Sequence, residues 1–162
     1  MIELRTEIDV EAPAALVWAV LVDFERYGEW NPYIPRIGGA LSVGGRLTVH
    51  TRPSGTRGRT FHPEVALVEP GVEFRWIGRL PIRGLFEGLH VFRVEPLGER
   101  RSRFVHREEF LGPVAWLHRL LRLPATRRGF LEMNEALKGR AESLLRRDGR
   151  EDPFGGPAAA TP

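Results

Sequence analysis

Three ionisable side chains in this sequence stand where strand alternation would bury them. His106 and Glu108 share a parity with Phe104 and Phe110, and His90 shares one with Phe86, Phe92 and Val94. On those apolar faces all three would point inward. Burying such groups is costly unless each is paired or wet. Residue chemistry leaves three readings open. The groups form a hydrogen-bonded cluster that fixes the sheet; or they anchor a ligand in a water-containing pocket; or His106 and Glu108 move protons as acid and base.

Other chemistries are excluded. His106-Arg107-Glu108 matches the H-x-E of zinc deaminases, but that chemistry needs cysteine ligands downstream, and the chain has no cysteine. The same absence rules out disulfides and thiolate nucleophiles. The histidines (His50, His62, His90, His106, His118) have no close ligand spacing, so no metal is expected. There is no G-x-S-x-G, no phosphate loop and no G-x-G-x-x-G. No cofactor is therefore expected. The formal charge is +3 and acids and bases alternate. Arg52, Arg57 and Arg59 form one cluster and Arg100, Arg101 and Arg103 another; both read as solvated hairpin ends. Without an aromatic-interleaved basic stripe, no nucleic-acid partner is expected.

The elements that must position these groups follow from periodicity. At 162 residues, 42% hydrophobic and 28% charged, the chain reads as one soluble globular domain. Ile2, Leu4, Ile8 and Val10 alternate with charges, which gives a half-buried strand and argues against a signal peptide. The uncharged run Ala12 to Val22 falls short of the roughly 20 residues that span a bilayer, so a cytoplasmic location is expected. Pro13 opens a helix carrying Leu16, Val17, Val20 and Leu21, and a second short helix covers Phe24 to Glu29. Six strands follow: one around Leu41, one around Val49, Phe61 to Glu69 with a bulge or edge at Pro63, Val72 to Trp76, one around Phe92, and about Arg101 to Leu111. Gly78 to Gly84 reads as a bend.

The last helix, Ala125 to about Arg147, has a stripe of Phe130, Met133, Leu137, Ala141 and Leu144, with Asn134 on its edge. Before it, Val114 to Arg122 reads as a short helix that Pro124 separates from the main one. Trp116, Leu117, Leu120, Leu121 and Leu123 oppose His118, Arg119 and Arg122 across the segment 114–123. It could lie on an anionic membrane, but a cap over a cavity mouth is favoured. Residues 1–147 form the expected domain, and 148–162, rich in Gly, Pro and Ala, a disordered tail.

A family resemblance runs through the same residues. Ile8-Asp9-Val10-Glu11-Ala12-Pro13, then Val17-Trp18, Asp23, Tyr27, Trp30 and Pro32, resemble the opening of the SRPBCC superfamily of START, birch-allergen-like and polyketide cyclase/dehydrase-like domains. Val43-Gly44, Glu69-Pro70, Phe74-Arg75-Trp76-Ile77-Gly78, His90 with Phe92, and His106, Glu108, Phe110 and Gly112 continue it. Phe130, Met133, Asn134 and Leu137 complete it. The resemblance implies an α+β helix-grip fold: a curved seven-stranded antiparallel sheet wrapped around a long C-terminal helix, with a hydrophobic cavity between. It implies no single reaction, since many members only bind or carry apolar molecules. With strand parity, it puts the cavity at Trp30, Tyr33, Val49, Phe74, Trp76, Phe86, His90, Phe92, Phe104, His106, Glu108, Met133, Asn134 and Leu137. The expected partner is a small hydrophobic molecule (lipid, isoprenoid or polyketide-like). The alternative is a polyketide cyclase or aromatase using His106 and Glu108. Nothing in the sequence specifies an oligomeric state.

Overall fold

The computed structural model describes residues 2–79, 84–116 and 123–148. In chain order its elements are β1 (Ile2–Val10), α1 (Ala14–Val22), a 3-10 turn (Phe24–Arg26), α2 (Tyr27–Trp30), β2 (Arg36–Gly38), β3 (Thr48–Thr51), β4 (Arg59–Phe61), β5 (Glu64–Glu69), β6 (Glu73–Arg79), β7 (Glu87–Gly98), β8 (Arg101–Leu111) and α3 (Leu123–Asp148). The expected tail lies outside the described residues, as does most of the helix expected at Val114 to Arg122.

The fold is α+β and helix-grip, with one correction to the strand count. Among the described residues eight strands, not seven, divide into a five-stranded sheet in the order β1-β8-β7-β6-β5 and a three-stranded sheet in the order β2-β3-β4. All the pairings are antiparallel. The eighth strand comes from Pro63. It has no N–H to give a ladder, so the run Phe61 to Glu69 breaks there. β4 pairs with β3, and β5 pairs with β6. The two sheets stay joined: Leu47 N–H donates to the Pro63 carbonyl at 3.0 Å, and Val65 N–H to Gly45 at 2.8 Å.

The strand expected around Leu41 is instead β2, centred on Ile37. Ala40 to Gly45 is a turn. Gly39, at φ +114°, would push a Cβ to 2.5 Å from the Arg46 carbonyl, so the chain must leave the strand there. The expected bend at Gly78 begins later, because β6 runs through Arg79.

The described part of α3 runs from Leu123 to Asp148 and so includes Pro124, just before the expected start at Ala125. Phe130, Met133, Asn134, Leu137 and Ala141 are all buried. This face lies mainly along β1 and α1. One contact is unusually close: a Cβ on Gly129 would sit 2.1 Å from the Tyr33 ring. Glycine there lets the helix settle onto Tyr33. Opposite lie Phe74, Phe92 and Phe104, fully buried, with Phe74 and Phe92 stacked at 4.5 Å. The outer face of the large sheet is solvated and laced with ion pairs such as Arg103–Asp9 at 2.7 Å.

Candidate functional site

Register decides which inward groups meet. Thr6 on β1 faces His106 on β8, and His106 faces Phe92 on β7. One step along, His90 faces Glu108 across β7 and β8. The cross-strand pairs Trp76–His90 and Gly78–Gly88 extend the same face onto β6.

The middle of the face is a packed polar chain. His106 is fully buried, and Phe130 of α3 stacks on its ring at 3.6 Å, nearly parallel. His90 stacks on Phe92 at 4.3 Å. The Nε2 atoms of His90 and His106 are 2.6 Å apart, and His106 Nδ1 is 3.0 Å from Asn134 Oδ1. Asn134 Nδ2 donates to Thr6 Oγ1 at 3.0 Å, and the Thr6 hydroxyl donates to the His106 carbonyl at 3.4 Å.

The direction of this chain is forced. The Thr6 hydroxyl proton goes to a carbonyl, so Thr6 can only accept from Asn134. That turns the Asn134 oxygen toward His106, whose Nδ1 must then carry hydrogen. Burial holds both imidazoles well below their ordinary pKa, so both are neutral at pH 7. His106 Nε2 is therefore bare and accepts from His90 Nε2–H.

Beyond the histidines the face opens into a pocket of about 120 Å³. Gly78 and Gly88, opposed in register, leave its floor without side chains. Phe61, Trp76 and Phe86 form apolar walls, and Arg59, Arg79 and Glu108 supply charge. A Cβ on Gly88 would lie 3.1 Å from Glu108 Oε1, so the glycine makes room for that carboxyl. Burial pushes the Glu108 pKa up to about 7, against the opposing pull of Arg59. Burial also pushes the Tyr33 hydroxyl above its ordinary range, with Glu108 adding to it.

The expected cavity residues therefore separate. Trp76, Phe86 and Glu108 line this pocket. His90, His106 and Asn134 form the polar chain. Tyr33, Val49, Phe74, Phe92, Phe104, Met133 and Leu137 are packed core. Trp30 lies elsewhere: it packs on Tyr27 at 4.9 Å and borders a groove with Leu16, Asp23 and Arg140. Val72, expected as the first residue of the strand ending at Trp76, is 39% exposed in the turn before β6. Thr6, Arg59, Phe61, Gly78 and Gly88 were not among the residues expected to form the site. Strand parity carried a signal for three of them. Thr6 shares the parity of Leu4 and Ile8; Gly78 and Gly88 share those of Trp76 and His90.

The family model described as polyketide cyclase/dehydrase and lipid transport matches residues 1–147. Solved structures match the fold at low identity. The Zhui aromatase/cyclase from Streptomyces sp. R1128 is 20% identical, with TM-score 0.73, covering 91% of this chain and 98% of that one. A START superfamily protein from Mycobacterium smegmatis is 19% identical, with TM-score 0.63, covering 88% and 98%. Norcoclaurine synthase from Thalictrum flavum, in complex with dopamine and hydroxybenzaldehyde, is 15% identical, with TM-score 0.62, covering 90% and 87%. No curated protein matches the chain by sequence. Among the described residues, no helix is long and apolar enough to cross a membrane.

Proposed function

Because the chain belongs to the polyketide cyclase/dehydrase and lipid transport family, we propose that it binds a small, mainly apolar molecule in the pocket beside Glu108. One observation carries this reading. The Glu108 carboxyl faces a pocket walled by Phe61, Trp76 and Phe86, and no hydrogen bond from the described residues reaches it. A partly buried carboxyl without a partner is costly to keep. A ligand hydroxyl, amine or amide would supply the missing bond, and the aromatic walls would supply most of the affinity at roughly 25 cal/mol per Å² of apolar burial, before association costs. A cytoplasmic location goes with this reading.

Native mass spectrometry of the protein purified from its source should reveal a bound apolar molecule. Titration with aromatic alcohols should quench or shift the emission of Trp76. Glu108→Gln should weaken binding by about 10-fold, the size of one hydrogen bond to a charged or strongly polar group. An unliganded protein with no response to any apolar compound would overturn the reading.

Proton transfer is the second reading, favoured by a Glu108 pKa of about 7, which suits a general acid or base at neutral pH. His106 would not share the work, since both its nitrogens are engaged inside the packed core. A cyclase built on this site would run on Glu108 alone. Turnover of a polyketide-like substrate that falls about 10²-fold or more in Glu108→Gln, with binding intact, would favour this second reading.

A further inference from the structure

From Asn31 to Pro63 the sequence contains no Asp and no Glu, but five arginines: Arg36, Arg46, Arg52, Arg57 and Arg59. The formal charge of that stretch is +5 against +3 for the whole chain, so the remainder is net −2. The stretch builds β2, β3 and β4. On the large sheet, by contrast, arginines are matched: Arg75, Arg79, Arg93, Arg101, Arg103 and Arg107 each have a carboxylate partner. Among the described residues, none of the five arginines in the acid-free stretch forms an ion pair.

Of these five, Arg59 alone lines the pocket. Its guanidinium lies 5.7 Å over the ring of Phe61. Arg79 also reaches the pocket, but Glu87 at 3.3 Å and Glu64 at 3.9 Å already hold it. Among the described residues, Arg59 is thus the cation lining this pocket that no carboxylate holds in an ion pair.

We propose that the pocket takes an amphiphile whose apolar body lies between Phe61, Trp76 and Phe86 and whose anionic end, a carboxylate or phosphate, rests on Arg59, with Glu108 taking up a proton as the anion binds. This rests on the reading above that the pocket binds a ligand. A guanidinium presents a planar fork that matches either anion. Arg59 is exposed at the edge of the pocket, so water and salt screen this attraction and it acts mainly to orient the anionic end.

The proton follows from the same geometry. Arg59 from β4 favours the Glu108 carboxylate. An anion on Arg59 cancels that help and adds a repelling charge, so the carboxyl becomes neutral. The other groups around Glu108 do not compete. Tyr33 and His90 are both neutral at pH 7, Arg79 is held by its carboxylates, and Leu4, its register partner on β1, does not titrate. A neutral Glu108 can then donate a hydrogen bond to the ligand.

Isothermal titration calorimetry of the full chain with single-ring probes tests this. The set is 4-ethylbenzoate, phenyl phosphate and the neutral isostere 4-ethylbenzamide, each at pH 7 in two buffers of different ionisation enthalpy. The benzoate or the phosphate should bind about 3- to 5-fold more tightly than the amide at low salt, as an exposed ion pair would give. Arg59→Gln should bring the probes level, while Arg59→Lys and the neighbouring Arg52→Gln should keep most of the preference; melting curves check that each variant is folded. Wild-type binding of an anion should take up a fraction of a proton, and Glu108→Gln should take up none. Equal affinity for benzoate and benzamide, or a preference that survives Arg59→Gln, would overturn the anion site and leave the ligand-binding reading standing. Uptake that persists in Glu108→Gln would remove Glu108 from the coupling. Failure of every probe, benzamide included, would overturn both.

Discussion

His90 and His106 meet through their Nε2 atoms at 2.6 Å, and only His90 carries hydrogen there. Asn134 and Thr6 dictate that arrangement from the far side of the His106 ring. The pair therefore locks β7 and β8 to β1 and α3 through one directed chain. NMR correlation of the imidazole nitrogens should show the Nδ1–H form of His106 and the Nε2–H form of His90. Asn134→Leu should erase the His106 assignment and cost about 2 kcal/mol, because it strands a buried N–H.

The same pair should make the protein acid-sensitive. Both histidines have folded-state pKa values below the ordinary 6.5. Below pH 6.5 the unfolded chain binds more protons than the folded one, so stability falls as pH drops, by about 1.4 kcal/mol per pH unit for each histidine. Glu108 acts in the opposite sense between pH 4.5 and about 7, where the folded state holds the extra proton. Urea unfolding at pH 5, 6 and 7 in the Glu108→Gln background isolates the histidines. A flat profile there would contradict their buried neutral state.

Glu108 itself should be a stability liability at alkaline pH. Its folded pKa of about 7 exceeds the ordinary 4.5, so its ionisation destabilises the fold from about pH 4.5 upward, fully so above about 7. Glu108→Gln should therefore raise stability by at most about 3 kcal/mol at pH 8 and by little at pH 4.5. Chemical denaturation at the two pH values measures the difference.

Gly78 offers a test of the pocket that spares the fold. A Cβ there meets nothing closer than Phe61 at 3.9 Å, and its backbone is ordinary strand. Gly78→Ala should hold or slightly raise the melting temperature, since strand glycine is costly. It should also fill part of the floor and weaken binding of a pocket ligand several-fold. Unchanged affinity would place the ligand elsewhere.

The grip of α3 should be sensitive to charge. Leu137 is fully buried against the sheet. Leu137→Asp should destabilise the fold by about 3 kcal/mol or more, because the carboxylate has no partner there. Thermal melting within a degree or two of wild type would mean the helix is not gripped.

Local pattern was enough to read much of the architecture from sequence. Period-2 alternation placed β1, β6, β7 and β8. The stripe from Phe130 to Ala141 placed α3. Pro63 signalled an edge or a bulge, where the structure instead ends one strand and starts another. Those signals depend on which side of the backbone a residue faces, and sequence fixes that directly. They could not fix how far each inward residue stands from the element opposite. His106 and Glu108 share a strand face two residues apart, yet one is sealed beneath Phe130 and the other borders a pocket. Parity alone treats them alike. The difference arises because Gly78 and Gly88 come into register on neighbouring strands while Phe130 descends from a helix distant in sequence. Cavity space is what side chains from several remote segments jointly leave unfilled, so only the tertiary structure decides it.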